Sequence, residues 1–283
     1  MDNGGAAMIH HLLRAAILTG FALFILYLDR TGEMALYIAP KMEVYVKLSA
    51  LGLYAAAIYQ VYAALQKRIG NQTPSCDCEH EPSPSVFKNI IIYGLFIFPL
   101  LLGFLVPTGT LGSDIASKKG ISLSGISTAE ENGAGVDAFY PFDGYMEAHT
   151  AYAKKLYSQP LIRVPDTQFI ETLTTFDLFR EKLIGKEVEI SGFIYHEDEM
   201  GKGRFAVSRF AMNCCSADAM PYGLMVSWPK AMDYADDEWV TVTGRLTTST
   251  YMNHVVMTLE AQRLERIKVP ESPYVYPDLD FGQ

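Results

Sequence analysis

The sequence predicts an α+β membrane protein: three transmembrane helices, then a soluble domain with helices and a small OB-like antiparallel β-barrel. Two observations carry this expectation. Of 283 residues, 49% are hydrophobic and only 19% are charged, and the long uncharged runs crowd into the N-terminal part of the chain. The C-terminal part reads instead as amphipathic helices followed by short alternating strands.

Leu12–Leu28 is apolar apart from Arg14 and Thr19, Val44–Leu65 carries only Lys47, and Val86–Val106 carries only Lys88. Each approaches the roughly 20 residues that a helix needs to cross the hydrocarbon core. A cleaved signal peptide is the alternative for the first, but no small-x-small cleavage site follows and two further spans do. The second run is rich in small residues (Ala50, Gly52, Ala55, Ala56, Ala57, Ala63, Ala64), which let helices approach closely and mark a face for protein contact. Simple Ala-rich composition reads the same way. Pro99 predicts a kink in the third run, and Pro107 ends it. With no Asp or Glu inside any run, nothing resembles an ion relay at mid-membrane. Such helices suit an anchor or a subunit. Lys and Arg flank both sides of the predicted spans, so the positive-inside rule does not orient them.

Between the second and third runs, residues 69–85 hold Cys76, Cys78 and His80 among three acids. Thiolates and an imidazole in so short a tract could hold zinc or a similar ion. Cys-x-Cys-x-His is tighter than usual structural zinc spacing, so the site would be exposed and partial. A solvated polar loop is the plain alternative.

Residues 108–139 are rich in Gly, Ser and Thr and read as a linker between an anchor at 1–107 and a soluble domain at 140–283. Gly144–Ser158 predicts a helix. Asp166 reads as the N-cap of a second helix, ending at Gly185. Strands follow at Glu187–Tyr195, with a bulge at Gly192, then Arg204–Met212, Gly223–Trp228, Trp239–Leu246 and Val255–Ile267. That run, with a helical insert before the fourth strand, is the pattern of an OB-type barrel. OB barrels often bind nucleic acid, but a net charge of −9 and the acidic loops around Glu197 and Asp236 would repel phosphate. No nucleic-acid partner is expected.

Cys214, Cys215 and Asp218 stand in the connection between the second and third strands, with His196 and His254 as further candidate ligands. Three readings stay open: a metal site, a vicinal disulfide used as a redox switch, or an idle pair of thiols with Asp218 capping a turn. A catalytic thiol lacks a nearby base in sequence.

Arg209-Phe210 leads into Cys215-x-Ala217-Asp218 and Tyr222-Gly223-Leu224-Met225-Val226. Pro229-Lys230-x-Met232-Asp233 runs to Asp236-Asp237-Glu238-Trp239-Val240, and Pro273-Tyr274-Val275-Tyr276 closes the chain. With three spans and a Cys/His/acid tract between the second and third, the whole resembles the YcgQ-like family of bacterial proteins described as two-component permease subunits. The resemblance implies a companion of a larger polytopic permease in the bilayer, not an enzyme, with its N-terminus inside and its C-terminal domain outside the cytoplasm. It also implies metal handling, although the tract here is short and holds a single His. The expected function is a non-catalytic membrane subunit with an extracytoplasmic binding or gating domain. The alternatives are a metal-binding envelope protein acting without a permease, and a membrane-anchored thiol oxidoreductase.

Overall fold

A computed structural model describes residues 3–69, 85–123 and 142–283. The chain divides into two compact units, Met1–Gly109 and Thr110–Gln283.

The first unit holds α1 (Asn3–Thr31), α2 (Pro40–Ile69) and α3 (Val86–Leu105). All three are long and apolar enough to cross a membrane. Many of their Leu, Ile, Phe and Tyr side chains point outward, which water would not tolerate and lipid does. α2 packs along α1, and its Ala50, Ala57 and Ala64 are buried in that seam. Part of the small-residue face expected to meet another protein is thus occupied within the chain. Gly52, Ala55 and Ala56 remain exposed. α3 runs through Pro99 and touches α1 at two glycines. A Cβ on Gly20 would lie 2.6 Å from Leu100 Cδ2, and one on Gly103 would lie 2.7 Å from Phe24 Cζ. At one end, Lys47 pairs with Asp29 at 2.7 Å and with Glu43 at 3.2 Å.

The second unit begins with α4 (Ser113–Lys119), inside the stretch read as a linker. Next come α5 (Phe142–Ser158), β1 (Leu161–Arg163), α6 (Phe169–Leu178) and α7 (Arg180–Leu183). The single helix expected up to Gly185 is therefore two, parted at Phe179. Asp166 caps neither; it opens a tight turn, and its carboxylate accepts from Arg209 Nη1 at 2.7 Å.

The strands are β2 (Glu187–Tyr195), β3 (Arg204–Ala211), β4 (Met220–Ser227), β5 (Trp239–Tyr251), β6 (His254–Arg266) and β7 (Tyr274–Val275). They form one seven-stranded sheet in the order β1-β2-β5-β6-β4-β3-β7, with β2 also paired to β3. Pairing therefore runs from β2 through β3, β4, β6 and β5 and returns to β2. β4 and β6 are parallel, as are β1–β2 and β3–β7; the other pairs are antiparallel.

The predicted bulge at Gly192 does not occur, since β2 keeps register with β5 across it. Glycine is needed there for another reason: a Cβ would come within 2.5 Å of the Ser208 carbonyl oxygen on β3. The irregularity lies at Thr243/Gly244, against β6. Beyond Gly192 both faces of β2 are covered. Ile194 joins the main core with Val207, Leu224, Val242, Leu259 and Phe176, while Phe193 stacks on Phe210 and meets Trp239. Each such buried side chain contributes about 1.5–3 kcal/mol.

Candidate functional site

The turn between β3 and β4 is built around one carboxylate. Asp218 Oδ1 accepts the Asn213 N–H at 3.1 Å and Oδ2 accepts the Cys214 N–H at 2.7 Å. The Asp218 N–H in turn donates to the Cys215 carbonyl at 3.0 Å. This is the local side-chain-to-backbone bonding for which Asp is suited in turns. The ends are fastened too. Met212 N–H donates to the Val275 carbonyl at 3.0 Å. Lys119 Nζ at the end of α4 donates to the carbonyls of Ala217 at 2.9 Å and Ala219 at 2.6 Å.

The two thiols fall on one side of this frame. Cys214 and Cys215 are free, with Sγ atoms 3.6 Å apart. Both Sγ atoms and a carboxylate oxygen of Asp218 lie within 4.8 Å of one another, and all three residues are half-buried. Asp218 is held below the ordinary carboxylate range. Burial opposes its charge, but hydrogen bonds from the Cys214 thiol and from the amides of Cys214, Asn213 and Cys215 outweigh that. The same carboxylate, with the Cys215 thiol beside it, pushes the Cys214 thiol up to about 11.

The donor set fits a thiophilic divalent ion. Two thiolates on a tetrahedral zinc with bonds of about 2.3 Å stand about 3.8 Å apart, close to the separation found here. Cys214, Cys215 and Asp218 would supply three ligands, leaving the fourth to water or another chain.

His196 does not join them. Its Nδ1 is paired with Asp236 at 2.9 Å and its Nε2 faces the Ala231 carbonyl at 3.3 Å, so both ring nitrogens are engaged elsewhere. His254 opens β6 opposite Tyr251, at the far end of the β5–β6 hairpin. Cys76, Cys78 and His80 lie outside the described residues.

Sequence reasoning gives Lys119 no role in this turn and names Arg209 only as part of a family motif. Lys119 had no signal, because its partners are main-chain carbonyls distant in sequence. Arg209, 1% exposed, donates to the carbonyls of Ser272 and Pro273 at 2.6 and 3.2 Å and lies over the Trp239 ring. A lone Arg inside an apolar strand was its signal.

Two profiles match the chain: the DUF1980 N-terminal domain over residues 13–122 and the DUF1980 C-terminal domain over residues 139–277. The UPF0703 protein YcgQ of Bacillus subtilis is 27% identical, over 94% of this chain and 99% of its own length. A Streptococcus mutans protein named "Putative two-component membrane permease complex subunit" is 24% identical, over 94% of this chain and 99% of its own length. No solved structure matches. One domain of the family covers the apolar helices and the other the strand unit with its thiol turn, so the chain belongs to the DUF1980 family, as its YcgQ-like motifs led one to expect.

Proposed function

We propose that this chain is a non-catalytic membrane subunit of a permease system. Its helices dock on a larger polytopic partner, and its strand unit stands outside the cytoplasm as a binding or gating domain. The observation that carries this is the end-to-end similarity to the Streptococcus mutans protein named as a subunit of a two-component membrane permease complex. The exposed pair Gly52 and Ala56 on α2 supports it. Small residues four apart on a lipid-facing surface admit a partner helix closely, and α1 leaves this pair uncovered. The pairing circuit through β2, β3, β4, β6 and β5 supports an OB-like barrel, with the parallel β4–β6 pair closing it.

Purification from native membranes in mild detergent tests the reading. A polytopic partner should co-purify, and Gly52→Leu with Ala56→Leu should release it. A chain that runs alone under all such conditions removes the proposal. Sidedness has its own test: a membrane-impermeant maleimide should label Cys215 in intact cells, and labelling only after lysis would put the strand unit inside.

A metal-related role is the second reading, favoured by the convergence of Cys214, Cys215 and Asp218. The full chain, purified under reducing conditions, should carry zinc or a similar ion. Loss of that ion in Cys214→Ser/Cys215→Ser, but not in Cys76→Ser/Cys78→Ser, assigns it to the turn; the reverse assigns it to the loop. No ion in any form removes this reading.

A further inference from the structure

In the first unit, α1 meets its two neighbours on different faces. His11 Nδ1 is paired with Gln60 Oε1 of α2 at 2.7 Å, and His10 Nδ1 with the Tyr93 hydroxyl of α3 at 2.9 Å. α2 and α3 both pack on α1 and have little contact with each other. A groove therefore runs between them, with α1 as its floor. At about 3.6 residues per turn, Arg14 stands about 40° round the helix from His10 and about 60° from His11, between the two seams. Phe21 and Ile25 continue the same strip, and all three residues are half-buried.

Arg14 also lies deep. Three contacts set the level of α1 against α3: Gly20 with Leu100, Phe24 with Gly103 and His10 with Tyr93, partners 79 to 83 positions apart. Arg14 is thus level with residues 93–97, in the middle of α3. The 20 residues of α3 measure about 30 Å, the thickness of the hydrocarbon core with nothing to spare. A snorkelling arm carries the guanidinium about one turn towards the surface, short of the about 15 Å that half the core measures. Losing the proton is no way out for Arg. The described acids of this unit, Asp29, Glu33 and Glu43, stand at the end where α1 passes to α2, and Lys47 takes two of them. Among the described residues, none pairs with the Arg14 guanidinium or accepts a hydrogen bond from it.

A charge held in hydrocarbon without a counter-ion is unfavourable, and where one persists it marks a functional contact. We propose that the groove between α2 and α3 takes a transmembrane helix of the permease partner, and that an Asp or Glu near the middle of that helix pairs with Arg14. The inference rests on the permease reading and adds the chemistry by which the partner is recognised. A carboxylate supplies both things that the guanidinium lacks, acceptor atoms and an opposite charge, and it fits the fork of Arg with two hydrogen bonds. A helix without the acid would leave Arg14 buried and unpaired, which selects against wrong partners. Lipid phosphate is a poorer occupant, because headgroups lie about half a core thickness away. A second copy of this chain is poorer too, since its three apolar runs bring no Asp or Glu to that depth.

The test uses the full chain purified from native membranes in a mild non-ionic detergent. The co-purifying polytopic protein is identified by mass spectrometry, and its recovery is measured per mole of chain. Arg14→Gln should lower that recovery at least about tenfold, whereas Arg14→Lys, which keeps the charge, should lower it no more than about threefold. Arg14→Gln takes a charge out of a span, so membrane insertion of the variant is eased. Arg14→Glu should abolish recovery, and changing one membrane-embedded acid of the partner to Lys should restore it. A packing role for Arg14 would give no such rescue. A photo-reactive benzophenone side chain in place of Phe21 should cross-link to the partner segment that holds this acid. Equal recovery with Arg14→Gln, no rescue of Arg14→Glu by any of the partner's membrane acids, or cross-links to lipid alone would overturn the proposal and leave the permease reading standing. If no polytopic protein co-purifies with the unaltered chain, both fall.

Discussion

Asp218 receives one backbone N–H on each carboxylate oxygen, from Asn213 and Cys214. Asp218→Asn keeps the shape but turns one acceptor into a donor, so one of those amides loses its partner. We expect the second unit to unfold about 1–2 kcal/mol more easily, as read from thermal or urea melts by circular dichroism. Glu171 sets a pH dependence of the opposite kind to an ordinary salt-bridged acid. Burial raises its folded pKa to about 7, above the unfolded value near 4.5. Its stabilising effect is fully present below the unfolded value, and it is lost as the pH rises through the folded one. In Glu171→Gln that loss should vanish. Relative to the unaltered chain, the variant should gain stability between about pH 5 and pH 8, by up to about 3 kcal/mol. Melts across that range check it, and parallel curves would contradict the assignment.

At the scale of elements, the α1–α3 contact rests on two glycines. Gly103→Val would drive a methyl into the Phe24 ring, so α3 should lose its seat on α1. The expected readout is a lower melting temperature of the detergent-solubilised chain, with little change for Gly94→Val, where a Cβ meets nothing within 4 Å. The three spans were legible in the sequence because apolar length is a direct signal. The partner of their small-residue face was not: Ala50, Ala57 and Ala64 look like Gly52 and Ala56 until a neighbour is placed. In the strand unit, β2 could be read end to end because Val188 and Ile190 alternate with polar residues. The extension of β5 to Tyr251 could not, because Thr247-Thr248-Ser249-Thr250 has no apolar alternation. The hairpin was hidden too, since its turn uses Met252 and Asn253 at positive φ in place of the usual Asn-Gly. Asp166 reads as a cap in sequence because it stands before an apolar helix. A buried Arg209, close only in the folded chain, took its carboxylate instead. The thiol turn was legible as a cluster of donors, but the engagement of His196 by Asp236 belongs to tertiary structure and left no mark in the spacing.

For the whole molecule, the division at Gly109/Thr110 makes a concrete expectation. Among the described residues, the core cluster from Phe169 and Phe176 to Val242 and Leu259 is built from the second unit's own side chains. Residues 110–283 expressed alone should be soluble and melt cooperatively, whereas a start at residue 124 should destabilise it. That shorter form lacks α4, with its Lys119, and the bridge from Ser122 to Tyr222. Circular dichroism of the two forms distinguishes them. Equal melting would mean that α4 contributes nothing to this unit.

Lys119 fastens the end of α4 to the turn that carries the two thiols, beside the bridge from Ser122 to Tyr222. α4 is the first regular element after the third span, and its terminal ammonium grips the carbonyls on either side of Asp218. Whatever shifts α4 within this unit is therefore passed to the frame that sets the spacing of the two sulfurs.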